Sequence, residues 1–152
     1  MRTRLLMGLV GLSLATAAAA QGGPAADVIK ARQAGMKAVG GGFKGLMDQM
    51  RGGAPDTAEV RRHAAAIVAQ SPKVPGWFGP GTATAPAVKT AALREIWTQR
   101  PAFRKAAAAF DAQAKKTLAA ANAGDMAALG PEVRALGGTC KTCHDTFKRK
   151  DD

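Results

Sequence analysis

From Pro24 to Met50 the residues Ile29, Arg32, Met36, Val39, Phe43, Leu46 and Met50 recur at steps of three and four, so they share one helix face, and Pro24 suits the first helical position. Asp56 followed by Glu59, just after Pro55, predicts a capping box opening a second helix with Val60, Ala64 and Ile67 inward. Ser71 to Gly76 ends it. A long connection rich in Pro, Gly and Thr then runs to about Ala87 and contains Trp77-Phe78-Gly79-Pro80-Gly81-Thr82. A third helix is predicted near Pro101, with Phe103, Ala107, Phe110, Ala114, Leu118 and Ala121 inward, and Asn122, Gly124 and Asp125 form the turn after it. In the fourth segment Met126, Leu129, Val133, Leu136, Cys140, Cys143 and Phe147 make a heptad seam, with a kink expected at Pro131 near Gly130. Four amphipathic segments without a strand predict an all-α fold, an antiparallel up-down four-helix bundle.

The first twenty residues stand outside that pattern. Arg2 and Arg4, the apolar run Leu5 to Leu14 and Ala18-Ala19-Ala20 read as a secretory signal peptide over 1–20, leaving one domain over 21–152. A retained membrane anchor would need about 20 apolar residues, more than this run supplies. The chain carries 22 Lys and Arg against 11 Asp and Glu. Losing Arg2 and Arg4 removes two positive charges and no negative ones, taking the formal charge from +11 to +9. Only 5% of its 152 residues are aromatic, and much of its 47% hydrophobic content is Ala, which buries little area, so the core looks thin and open to a filler.

The two cysteines both fall in Cys140-Lys141-Thr142-Cys143-His144. Thiols three positions apart share one side of a helix, where they can add to the two vinyl groups of a haem while the adjacent imidazole reaches the iron. Three other readings are weaker. A thioredoxin-like pair wants a βαβ surround, and a structural zinc site wants four ligands where only His63 remains to help. Two plain buried cysteines would risk oxidation in an exported chain.

With that motif near its C-terminus, followed by Asp145-Thr146-Phe147-Lys148-Arg149-Lys150, the chain resembles the class II cytochromes, comprising cytochrome c′ and the low-spin c-556 type. Arg32-Gln33-Ala34-Gly35-Met36-Lys37 and Trp77-Phe78-Gly79-Pro80-Gly81-Thr82 share in the resemblance, which covers nearly all of 21–152. Cytochrome c′ is itself a standard example of the up-down bundle, so the fold expectation is not independent of the likeness. The resemblance implies one covalent haem c held by Cys140 and Cys143, His144 as proximal iron ligand, Arg32 along the haem edge near a propionate, and Met36 on the distal side. Lys148, four after His144, departs from the Arg that cytochrome c′ often carries there. A homodimer through the first two helices is a further implication.

Met36 separates two functions. If its sulfur binds iron, the site is six-coordinate and low-spin, and the protein is a periplasmic electron carrier rather than an enzyme. If it only packs, as methionines at helical spacing usually do, the iron is open and the protein is a cytochrome c′ binding nitric oxide or carbon monoxide. The Met36-Lys37-Ala38-Val39-Gly40 stretch is closer to the c-556 pattern, so electron transfer is the leading expectation. The scattered basic pairs carry no nucleic-acid motif; with a +9 surface, acidic redox partners are expected. Gly40-Gly41-Gly42 reads either as a close backbone approach or as a helix break, His63 as a solvated side chain, and Trp77 and Trp97 as core anchors. Without haem the chain should fold poorly.

Overall fold

The computed structural model describes residues 23–85 and 88–150. The leader expected over 1–20 lies outside the described residues. Four long helices make the bundle: α1 (Pro24–Arg51), α2 (Thr57–Val68), α4 (Arg100–Ala123) and α5 (Met126–Phe147), with a single-turn α3 (Glu95–Thr98) ahead of α4. Helix α5 packs most heavily on α4, and α1 on α2, while α2 joins the two pairs through α4.

The helix ends follow the sequence with one substitution of partner. Asp56 Oδ1 accepts from the backbone N–H of Ala58 at 2.7 Å and of Glu59 at 3.1 Å, the cap expected for α2. Glu59, however, pairs with Arg62, and Gln49 from the end of α1 instead accepts from the Asp56 N–H at 2.8 Å. The capping box is therefore closed across two helices. Helix α4 ends at Gly124, whose φ of 70° suits glycine, and Asp125 caps α5 by accepting from Ala128 N–H at 2.9 Å. Helix α5 continues through Pro131. Beside that proline, Gln113 Nε2 and Thr117 Oγ1 of α4 both donate to the Glu132 carbonyl, at 3.2 and 3.3 Å. These bonds explain why Thr117, and not the expected Leu118, is the fully buried residue of that turn.

The segment expected to be irregular from Ser71 is ordered as a 3₁₀ helix, Ser71–Phe78, because Pro72 and Pro75 preset a φ that this tighter helix accepts. Its start is pinned where Ser71 Oγ donates to Asp111 Oδ1 of α4 at 2.6 Å. The described residues from Gly79 to Arg94 are non-helical, past the expected end at Ala87, and residues 91–93 pair with the C-terminal end of α5: Leu93 N–H donates to Phe147 O at 3.0 Å and Arg149 N–H to Ala91 O at 2.8 Å.

Small residues let α1 lie close to its neighbours. A Cβ on Gly42 would meet the His63 carbonyl oxygen at 2.9 Å and Ile67 Cγ1 at 2.8 Å. So the glycine run of α1 leaves the helix intact, and its close approach is to α2. The His63 ring lies across Gly45 and is largely buried, a correction to its expected solvation. Trp77 and Trp97 do pack on the core, Trp77 against Gly35 and Trp97 edge-on to Phe78 with its Nε1–H donating to Gly79 O at 2.9 Å.

Candidate functional site

A cavity of about 590 Å³ lies between α1 and α5, within the roughly 300–1,000 Å³ usual for cofactor sites. One wall is the α1 stripe Arg32, Met36, Val39, Gly40 and Phe43; the opposite wall is Cys140, Cys143, His144 and Phe147 of α5. Phe78, Phe103 and Phe110 close the inner side, and Thr90, Ala91 and Ala92 from the long connection form the rim. The five residues singled out from the sequence, Arg32, Met36, Cys140, Cys143 and His144, thus line one cavity. The rim segment was not among them: it has no periodicity to mark it, and its place follows from pairing with residues far along the chain.

Cys140 and Cys143 are half-buried and unbridged. Burial pushes both thiols up; Thr139 pulls weakly the other way on Cys140, while Cys140 adds to the rise of Cys143. Reactive redox thiols are held down by nearby positive charge or a helix N-terminus, so this pair lacks the electrostatics of a dithiol oxidoreductase. Among the described residues no group of three or more His, Cys, Asp or Glu is placed to hold a metal ion by itself, short of the four ligands a structural zinc site wants. His144 reaches solvent through the cavity mouth, yet the surrounding protein lowers its pKa, Lys148 lowers it further, and Asp145 opposes them. The ring is therefore neutral at neutral pH, and a neutral imidazole offers one nitrogen lone pair to a metal. No described residue hydrogen-bonds that ring.

Arg32 is a buried cation. Only 2% of it is exposed. One terminal nitrogen donates to Thr82 O at 2.7 Å and the other to Thr90 Oγ1 at 2.8 Å, with the guanidinium carbon 4.8 Å from the Phe78 ring centre and 5.8 Å from that of Trp97. Burial lowers its pKa. Among the described residues no carboxylate pairs with it, although a buried charge ordinarily has a counter-ion. Next to it Gln33 Nε2 donates to Lys89 O at 2.7 Å, and Arg149 donates to Thr90 O at 3.3 Å, so the rim is tied down from both walls.

These features fit a haem. The cavity is lined mostly by apolar side chains, its α5 side presents two thiols and a neutral imidazole, and its edge holds a guanidinium with no carboxylate partner among the described residues. Fold and site together define a bundle cytochrome.

Comparison with known proteins bears this out. Residues 27–148 match the family described as Cytochrome C′. Cytochrome c′ of Pararhodospirillum photometricum is 42% identical over 121 residues, covering 79% of this chain and 94% of that one. Cytochrome c-556 of Agrobacterium tumefaciens (strain II Chrys) is 32% identical over 126 residues, 82% of this chain and 99% of the relative. Among solved structures, the nitric oxide complex of a mutant of cytochrome c prime from Alcaligenes xylosoxidans superposes with a TM-score of 0.74 at 30% identity, over 84% of this chain and 97% of that one. The chain belongs to the cytochrome c′ family, whose members carry a covalently attached haem c.

Proposed function

We propose that this protein is an exported haem protein that takes up nitric oxide or carbon monoxide at an open iron. Cys140 and Cys143 hold the haem through thioethers, His144 is the proximal ligand, and the Arg32 guanidinium meets a propionate. Met36 packs in the distal wall. The finding that carries this reading is the cytochrome c′ match over residues 27–148, and Met36 stands on the α1 wall of the cavity packed against the hydrophobic core. The Alcaligenes xylosoxidans structure, a nitric oxide complex, supports the same reading, as does the likeness to a cytochrome c′ at 42% identity.

The haem, when bound, supplies an iron that exchanges one electron and binds a diatomic ligand. The chain's own residues do the rest. The aromatic inner side keeps water out, His144 offers its nitrogen from α5, and the Arg32 clamp holds the rim segment shut over the edge. Electron transfer with Met36 as sixth ligand, the leading expectation from the sequence, becomes the second reading. The c-556 relative at 32% identity favours it. The leader over 1–20 supports export to the periplasm, and among the described residues no helix is long and apolar enough to cross a membrane.

Absorption spectra of the oxidised and reduced protein, with and without carbon monoxide, separate the two. A high-spin oxidised spectrum and ready carbon monoxide binding, with Met36→Ala changing affinity alone, supports gas binding. A low-spin spectrum with a sulfur-to-iron charge-transfer band that Met36→Ala abolishes makes the protein an electron carrier instead.

A further inference from the structure

The ring of Phe43 on α1 stands against the backbone of α5 at Gly137: a Cβ built on Gly137 would lie 3.0 Å from Phe43 Cζ and 3.6 Å from Cε2. Elsewhere α1 and α5 touch little, because the cavity lies between them. The two helices run antiparallel: Arg32, early in α1, reaches the rim segment that Arg149, just past α5, also grips, whereas Phe43, later in α1, meets Gly137, midway along α5. Seven residues back along α1 from Phe43 is Met36, and seven residues on along α5 from Gly137 is His144. Both intervals are about two turns, roughly 10.5 Å at 1.5 Å per residue. One contact therefore fixes both the spacing and the register of the walls that carry Met36 and His144.

We infer that Phe43 seated on Gly137 is a spacer that holds α1 away from α5 and thereby decides whether Met36 reaches the iron. The ring props the walls apart beside the cavity it lines, and glycine is the residue that lets it sit there. Shortening residue 43 brings α1 toward α5 and Met36 toward His144. A methyl group on residue 137 pushes α1 away. Interiors transmit such shifts because they are close-packed. Phe43 lines the same cavity and acts on the iron through Met36, as a positioning residue.

The inference rests on the haem reading above, and its test separates the two. Purified holoprotein is compared as wild type, Phe43→Leu, Gly137→Ala and the double variant, by oxidised spectrum, carbon monoxide affinity and circular-dichroism melting. Phe43→Leu is expected to shift the oxidised protein toward low-spin. If nine-tenths of the molecules take the Met36-bound form, apparent carbon monoxide affinity falls about tenfold. Gly137→Ala keeps α5 intact, since alanine favours helix over glycine, and is expected to remain high-spin with affinity no lower than wild type. The double variant is expected to return toward the wild-type spectrum, a coupling that two independent destabilisations do not produce. Folded holoproteins whose spin state and affinity ignore both changes overturn the spacer and leave the haem reading standing. A wild-type chain that carries no covalent haem overturns the haem reading and the spacer with it.

Discussion

The indole of Trp77 lies over the backbone of Gly35, so close that a Cβ at 35 would stand 2.3 Å from Cη2 and 2.4 Å from Cζ2. The contact seats the end of the 3₁₀ segment on α1, one turn from Arg32 and beside Met36. Gly35→Ala must expel the ring, and overpacking of this kind costs about 1–3 kcal/mol. In a Trp77→Leu background the same methyl group should cost under about 1 kcal/mol, because the opposing ring is gone. Thermal melts of the four proteins test this, and equal costs in both backgrounds would refute the contact's importance.

Covalent attachment gives the second prediction. Thioethers survive unfolding, so acid-acetone extraction of the denatured protein should leave the colour with the chain. Cys140→Ala with Cys143→Ala should release it. The burial that raises both thiols keeps them protonated near neutrality, so the unmodified chain should react slowly with a thiol reagent at pH 7 and faster as pH rises well above it.

Acid stability has an identifiable source. Lys115 first, and Ser71 second, hold the Asp111 carboxyl below its usual range. A carboxylate with a depressed folded-state pKa binds fewer protons folded than unfolded. Its stabilisation is therefore complete above the unfolded pKa of about 3.9 and is lost as pH falls through the folded value. Asp111→Asn should flatten the acid limb of the stability curve, and Ser71→Ala should cost about 1 kcal/mol near neutrality. An unchanged acid limb in Asp111→Asn would rule this pair out.

The ionisable side chains lining the cavity are Arg32, His144, Lys148 and the two thiols; no carboxylate is among the lining residues. Lys89 and Arg149 stand exposed on the rim. Reduction by anionic ferrous EDTA should slow as salt shortens the Debye length to about 10 Å at 0.1 M, while reduction by cationic hexaammineruthenium(II) should quicken. Lys89→Glu with Arg149→Glu should weaken that dependence more than Arg104→Glu with Lys105→Glu, which changes net charge equally on α4. Equal effects would assign the steering to total charge and not to the rim.

Much of the bundle was legible because inward residues repeat at helical spacing. On α5, Leu129, Val133, Leu136 and Phe147 are buried as the seam implies. Met36, Phe43, Cys140 and Cys143 share that periodicity yet are only partly buried. Periodicity marks the side that faces inward; it does not say whether that side meets packed core or a cavity wall. The chemistry was legible for a different reason: two thiols and an imidazole at a fixed local spacing need no knowledge of the fold. What stayed hidden depends on distant pairing. Arg32 finds Thr82 and Thr90 fifty and fifty-eight residues away, Gln49 completes the Asp56 cap from another helix, and Trp77 finds Gly35. None of these partners has a local pattern to announce it. The order of Ser71–Phe78 was hidden because proline signals a helix stop more strongly than a 3₁₀ start.

Residues 91–93 are fastened by residues 147–149, which follow the cysteines directly. The wall that carries Cys140 and Cys143 and the clasp over the cavity mouth are thus one continuous piece of chain. Until residues 147–149 meet residues 91–93, the mouth is open on that side and both thiols lie on an unclasped segment. Loading and closure then have a natural order: the thiols are reachable while the clasp is undone, and pairing of the residues just beyond them shuts the mouth.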